Sequence, residues 1–329
     1  MSYRELIIWQ KSPNTNHAKR SLANVMAFAP ASIGNISVGF DILGAAVYPI
    51  DGTKLGDTVT VSSADEFSFE MTGPWCNKLA DLKDSGKKNL VQACAEYFLE
   101  QLPEEKRKPF KIELYKNMPV GSGLGSSASS VVAALSALNQ FFANPFSNDE
   151  LLVMMGKMEG SVSGSIHYDN VAPAFLGGIQ LMTLTQSQIS VSVPYFENWY
   201  WVLAYPGISL ATSEMRALLP QKYERSTTIE FGRNIAAFIQ ASYTKNEKLA
   251  IEVLRDVLAE PYRKSRIPGF EEAVQQMKEI GMLASGISGS GPTMFSITDS
   301  LDKAKEAKKL LKRNYVQNSE GFVHICQIK

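Results

Sequence analysis

The run PVGSGLGSSASSVVAALSALNQFF, from Pro119 to Phe142, sets three glycines within five residues between a strand signal and a helix signal. Upstream, Phe110, Ile112 and Leu114 alternate with Lys111, Glu113 and Tyr115, the period of a half-buried strand. Downstream, Val131, Leu135, Leu138 and Phe142 recur at spacings of four, three and four, which predicts a helix with one apolar stripe. Gly121, Gly123 and Gly125 thus fall on a strand-to-helix turn. They remove side chains that would hold an anion off the backbone N–H groups, and the first helical turn adds donors without intrahelical partners. The expected chemistry is oxyanion binding, with Ser126 and Ser127 placed to cap the helix, bind phosphate or ligate a divalent ion. A flexible glycine turn capped by serines is the bland alternative; the order strand, loop, helix favours phosphate.

Two familiar phosphate loops are excluded. A Walker A loop needs Gly-Lys followed by Ser or Thr, and no lysine lies between Lys116 and Lys157. The dinucleotide fingerprint and the protein-kinase loop both need a glycine where Ser126 stands. The loop is of a third kind.

Motifs of this form resemble those of the GHMP small-molecule kinases, the family of galactokinase, homoserine kinase, mevalonate kinase and phosphomevalonate kinase. PVGSGLGSSAS is similar to the family's central motif. APASIGNISVGFDILG, Ala29 to Gly44, resembles its N-terminal motif in the form that homoserine kinases carry, and SGISGSGPTMFS, Ser285 to Ser296, its C-terminal glycine-rich motif. EGSVSGSIHYDNVAPAFLGG, Glu159 to Gly178, is also homoserine-kinase-like. These stretches come in family order and cover nearly the whole chain from about Met26.

The resemblance implies an α+β fold of two domains, the first like domain 2 of ribosomal protein S5 and the second a ferredoxin-like α/β sandwich. The expected division is residues 26–190 and 191–329. Residues 1–25 read as an extension outside the family fold, either disordered or upstream of a natural start at Met26. A length of 329 residues suits two domains. Lys plus Arg and Asp plus Glu stand at 33 each, so no global field recruits nucleic acid or an anionic membrane, and the partner should be small. Cys76, Cys94 and Cys326 form neither a disulfide framework nor a zinc pattern. No apolar run spans a bilayer and no secretory signal is evident, so the expected location is the cytoplasm. A homodimer is expected.

The site residues follow from matching positions. Pro119, Val120, Gly121, Ser122, Gly123, Leu124, Gly125, Ser126, Ser127 and Ala128 would bind the phosphates of ATP. Glu159 and Ser127, with Ser126 as the alternative, would hold Mg2+. On residues alone, Glu159 closes a helix of Leu151, Leu152, Met154, Met155 and Met158, just before Gly160. A carboxylate there opposes the helix dipole, a break in local rules that a nearby cation would relieve. Asn35 and Asp41 alone read as turn residues. By resemblance, Asn35 contacts substrate near its hydroxyl and Asp41 pairs with its ammonium. His167 and Asn170 line the pocket, and Arg216 and Arg263 grip a carboxylate, a task suited to the guanidinium fork.

The activity implied is ATP-dependent phosphorylation of the L-homoserine hydroxyl, a step towards threonine, with Asp41, Asn35, Arg216 and Arg263 as the catalytic set. The alternatives are another small alcohol as substrate, such as mevalonate or a sugar, or a nucleotide-binding sensor without turnover. Gly56 and Asp57 read as turn chemistry between strands, and Thr212 or Ser213 as the cap of the short helix carrying Arg216.

Overall fold

The computed structural model describes residues 24–79, 88–163, 166–185 and 188–329, the side chains of 162 and 163 excepted, so most of the expected extension lies outside the described residues. Strand β1 (Val25–Gly34) changes partner midway along its length. Residues 25–30 pair antiparallel with β3 (Gly56–Ser63), and 31–34 pair antiparallel with β2 (Leu43–Pro49). On the β3 side the sheet continues to β5 (Phe110–Tyr115) and ends at β4 (Ser68–Thr72), which runs parallel to β5. Helix α1 (Leu90–Gln101) lies between those two strands in sequence, as a parallel crossover requires.

Helices α2 (Ser126–Phe141), α3 (Asn148–Ser163) and α4 (Val171–Leu176) complete this half. The inward residues Val59, Val61, Ile112 and Leu114 join Val91, Cys94 and Phe98 of α1 and Val131, Leu135 and Leu138 of α2 in one core. Helix α2 is buried on all sides rather than along one stripe, since it forms a layer between the sheet and its sister helices. Its small residues Ser129, Ser130, Ala133, Ala134 and Ala137 permit that close approach. Ser147 and Glu150 form a capping box before α3: Ser147 N donates to Glu150 Oε2 at 2.8 Å, and Glu150 N to Ser147 Oγ at 3.3 Å.

Strands β6 (Ile179–Met182) and β7 (Ser190–Val193) form a hairpin on the β2 edge, so a division at 190/191 falls inside β7. The second half runs β8 (Tyr200–Tyr205), α5 (Thr212–Ala217), α6 (Arg225–Thr244), α7 (Glu247–Val253), α8 (Glu260–Arg263) and α9 (Phe270–Glu279). It continues with β9 (Ala284–Ile287), β10 (Met294–Thr298), α10 (Leu301–Asn314) and β11 (Phe322–Ile328). Its strands lie in the order β11-β8-β10-β9, the fourth-first-third-second pattern of a ferredoxin-like sheet. Because β11 also pairs with β2, the two halves share one sheet of eleven described strands. Among the described residues no helix is long and apolar enough to cross a membrane.

Asp57 is not turn chemistry. It lies in β3 on the face of Val59 and Val61, fully buried, and its carboxylate pairs with the buried ammonium of Lys116. The register pairs Thr58 with Tyr115, so one residue further sets Asp57 opposite Lys116. Lys116 Nζ also donates to Ser126 O at 2.9 Å and Ser130 Oγ at 3.0 Å. Asp57 Oδ1 accepts the backbone amides of Asn117 at 2.9 Å and Met118 at 3.0 Å. A methionine at 116 would leave the carboxylate buried without its counter-ion. Lys116→Met should therefore cost about 3–5 kcal/mol in urea unfolding, and Asp57→Asn combined with it should recover most of that loss. A loss below about 1 kcal/mol would show the pair to be solvated.

Candidate active site

The glycine-rich bend leaves β5 at Lys116 and enters α2 at Gly125, which has the left-handed φ of 66° as N-cap and no side-chain cap. Gly121 and Gly123 are left-handed too, with φ of 65° and 78°. Their missing side chains make room for protein. A Cβ on Gly121 would stand 2.1 Å from Ser209 Oγ, one on Gly123 2.4 Å from Ser288 O, and one on Gly125 2.2 Å from Ser32 Oγ. The expected reason for these glycines, clearance for an anion, is thus joined by a stricter one: the bend is packed against three other segments.

That packing is directional. Val120 O accepts from Ser209 Oγ at 2.8 Å, Gly121 O from Leu210 N at 2.9 Å, and Ser122 O from Thr293 N at 3.1 Å. Gly123 O accepts from Ser288 Oγ at 2.7 Å and Leu124 O from Ser32 N at 3.1 Å. Five consecutive carbonyls are tied to protein, while among the described residues the amides of Gly121 to Gly125 have no acceptor. The first-turn amides of α2 add to them. Such a row of N–H groups without protein acceptors, at a helix start, suits a phosphate chain.

Ser127 Oγ donates to Glu159 Oε1 at 2.7 Å. Ser126 turns elsewhere, its hydroxyl 3.4 Å from Met118 O, so the geometry pairs Ser127 with Glu159. Glu159 does not end α3, which runs to Ser163. Gly160 is no terminator: a Cβ there would stand 2.9 Å from Ile166 Cγ1, so the glycine admits the returning chain. The dipole conflict expected at Glu159 is accordingly weaker than the cost of burial, which pushes its carboxyl up against the Ser127 hydrogen bond and the Lys116 charge. Among the described residues no three or more His, Cys, Asp or Glu cluster as metal ligands. A hydroxyl and a carboxylate are nonetheless the hard oxygen donors that Mg2+ takes when phosphate and water complete its shell.

The second cluster is charged. Asp41 and Arg216 form a two-pronged pair, Nη1 to Oδ2 at 3.0 Å and Nη2 to Oδ1 at 2.8 Å. His167 Nδ1 lies 3.7 Å from Asp41 Oδ1, and burial lowers its pKa. Arg216 sits on α5, whose N-cap is Ala211 with no side-chain cap, so neither Thr212 nor Ser213 has the expected role. Arg263, on α8, is buried and fixed by Gly289 O at 2.9 Å and Met215 O at 3.3 Å. Both guanidiniums approach the Phe40 ring, at 5.7 Å for Arg216 and 5.4 Å for Arg263. Phe40 is not among the residues that the motifs single out, although an aromatic next to an acid, here Asp41, is a recognisable cation seat.

Asn35 is buried with φ 72°, and Ile36 and Ser37 follow at 46° and 54°. Its amide is engaged at both ends: Oδ1 accepts from Asp41 N at 3.0 Å, and Nδ2 donates to Gly289 O at 3.2 Å. It therefore shapes the bend that presents Asp41. A left-handed Ile is costly, and strain of this kind persists where the surroundings over-determine it.

Between the two clusters lie Asn170 and Asp169. Ser32 Oγ donates to Asn170 Oδ1 at 2.9 Å, and Asn170 Nδ2 to Asp169 Oδ2 at 3.3 Å. Gly34 and Gly44 clear their path, since Cβ atoms there would stand 2.6 Å from Asp169 Oδ2 and 1.6 Å from Asp169 O. Asp169, between His167 and Asn170 in sequence, is the most buried of the three. Burial first, then the Asp41 carboxylate, push its pKa up to about 7.

The model of the GHMP kinase N-terminal domain matches residues 89–178, and that of the GHMP kinase C-terminal domain residues 235–317. Homoserine kinase from Cytophaga hutchinsonii ATCC 33406 is 30% identical, with a TM-score of 0.83 over 96% of this chain and 98% of that one. A Listeria monocytogenes protein provisionally described as a homoserine kinase is 22% identical, with a TM-score of 0.67 over 94% and 96%. Methanococcus jannaschii mevalonate kinase is 16% identical, with a TM-score of 0.69 over 95% and 100%. The last two speak to the fold alone. The chain belongs to the GHMP kinase family: it is a small-molecule kinase with the two-domain fold of that family, whose members use ATP as co-substrate.

Asp169 yields a prediction with a definite sign. An unfolded Asp titrates near ~4, so folding retains a proton on Asp169 up to about 7. Its contribution to stability is fully present below the unfolded value and is lost as pH rises through about 7. Asp169→Asn should therefore gain stability relative to the parent chain from pH ~4 to pH ~7, read by urea unfolding across that range. A difference that stays constant with pH would reject a raised pKa.

Proposed function

We propose that the protein is an ATP:L-homoserine O-phosphotransferase. The observation that carries this is the juxtaposition of Asp41, Arg216 and Arg263 around Phe40: an acid beside two fixed cations matches the ammonium and carboxylate of an amino acid. The likeness to the Cytophaga hutchinsonii homoserine kinase supports the same substrate.

In this reading the bend of residues 119–128 receives the triphosphate, its amides donating to phosphate oxygens. Ser127 and Glu159 would hold Mg2+, which when bound neutralises phosphate charge. Arg216 and Arg263 take the α-carboxylate and Asp41 the ammonium, with His167 and Asn170 along the wall. Asn35 keeps Asp41 in place. Held by both ends, the amino acid has its hydroxyl free to face the terminal phosphate. The hydroxyl oxygen forms a bond to the γ-phosphorus as the bond from that phosphorus to the β,γ-bridging oxygen breaks, giving O-phosphohomoserine and ADP. The hydroxyl proton passes to phosphate and then to solvent. Phosphoryl transfer of this kind depends on positioning and charge stabilisation more than on covalent help, and Asp41 is assigned an orienting role. The division into residues 26–190 and 191–329 would then place the phosphate bend in one domain and the arginines in the other, with a homodimer in the cytoplasm as the working form.

A coupled ADP-release assay across L-homoserine, mevalonate, galactose and threonine tests the substrate. L-Homoserine should be turned over and the others should not; turnover of mevalonate or galactose instead, or no turnover at all, would reject it. Arg263→Leu should raise KM for homoserine at least roughly 100-fold while KM for ATP moves less than about threefold. Equal losses for both substrates would remove Arg263 from the carboxylate clamp.

A further inference from the structure

The acid and one of the two cations assigned to the amino acid, Asp41 and Arg216, are bonded to each other. Among the described residues the Arg216 guanidinium has hydrogen bonds to Asp41 alone, whereas Arg263 is anchored on Gly289 O and Met215 O. Resting on the amino-acid reading above, we propose that the Asp41–Arg216 pair selects the charge class of the substrate: only a zwitterion can open it without leaving one member unpaired.

The exchange can be counted in ion pairs. A ligand bearing a carboxylate and an ammonium on one carbon breaks one pair and makes two, carboxylate to Arg216 and ammonium to Asp41. A hydroxy acid lacking the ammonium reaches Arg216 only by detaching it from Asp41, and its own carboxylate then faces that acid. An amino alcohol lacking the carboxylate takes Asp41 and leaves Arg216 facing a like charge. The side chains of Arg216 and Asp41 are 35% and 28% exposed, so solvent softens but does not remove the penalty. Two further titratable groups face Asp41: burial holds His167 towards its neutral form, and Asp169 is an acid whose carboxyl burial pushes up, so neither replaces Arg216. Arg263, its guanidinium 5.4 Å from the Phe40 ring, gives the incoming carboxylate a second partner. Selectivity here comes as much from the broken internal pair as from the new contacts.

The test uses the full chain and three ligands, L-homoserine, 4-hydroxybutyrate, which lacks the ammonium, and 3-amino-1-propanol, which lacks the carboxylate, with dissociation constants from calorimetry. The parent chain should bind both single-charge analogues at least roughly 100-fold more weakly than L-homoserine. Asp41→Asn frees Arg216, so it should weaken L-homoserine yet tighten 4-hydroxybutyrate, by roughly fivefold. Arg216→Gln gives the mirror result, tighter 3-amino-1-propanol, and serves if the first variant folds poorly. If L-homoserine binds the parent chain but neither variant tightens its analogue, the exchange is wrong and the substrate reading stands; if L-homoserine does not bind, both fall. Simple repulsion between ligand and Asp41 would also move 4-hydroxybutyrate, so unfolding midpoints of the two single variants and the double variant supply the discriminating arm. Without added ligand they should be non-additive, and additivity would overturn the proposal.

Discussion

The buried pair between Asp57 and Lys116 fixes the place from which everything else in the site is measured. Taking two charges out of water costs several kcal/mol for each ion, and a pair of this kind contributes little net stability. What it supplies is position. Through Asn117 and Met118 it holds the entry to the glycine-rich bend, and through Ser126 and Ser130 it holds the exit. A bend clamped at both ends on one ion pair has few ways to lie. The five carbonyls that bond to Ser209, Leu210, Thr293, Ser288 and Ser32 then decide which way its amides point.

The partners of those carbonyls come from both halves of the chain. Ser32 belongs to β1, whereas Ser209 and Leu210 precede α5, and Ser288 and Thr293 flank the turn between β9 and β10. The phosphate bend is therefore completed by the second half, which also delivers Arg216 and Arg263 to Asp41 of the first. The shared sheet, carried across by the pairing of β2 with β11, gives this assembly a common frame. Gly289 is a junction within it: its carbonyl accepts from both Asn35 and Arg263, so the bend that presents Asp41 and the arm that presents a cation rest on one atom. Placement on a rigid frame is what a reaction governed by positioning requires.

Local pattern carried much of this. The alternation from Phe110 to Tyr115, the glycines at 121, 123 and 125 and the capping box at Ser147 are short-range signals, and the structure has each where its period put it. The meaning of Asp57 does not show locally because it lies 59 residues away, opposite Lys116. Parity offered a clue, since Asp57 keeps step with Val59 and Val61, and Lys116 with Ile112 and Leu114. A glycine's purpose was harder still to see. Gly160 reads as a helix stop but admits Ile166, and Gly156 similarly admits Tyr168, whose ring a Cβ would approach to 2.2 Å. Phe40 and Asp169 stood beside residues already singled out. Their roles depend on contacts across the fold, with two arginines for one and with Gly34 and Gly44 for the other.

At the centre stands the claim that outward amides of a packed bend take the phosphate chain of a nucleotide. Amide NMR of the full chain, titrated with magnesium and a non-hydrolysable ATP analogue, addresses it directly. The N–H resonances of Gly121 to Ala128 should shift and slow in exchange with solvent, ahead of any other segment. Saturation with the analogue while those resonances stay unmoved would place the phosphates elsewhere and contradict the account.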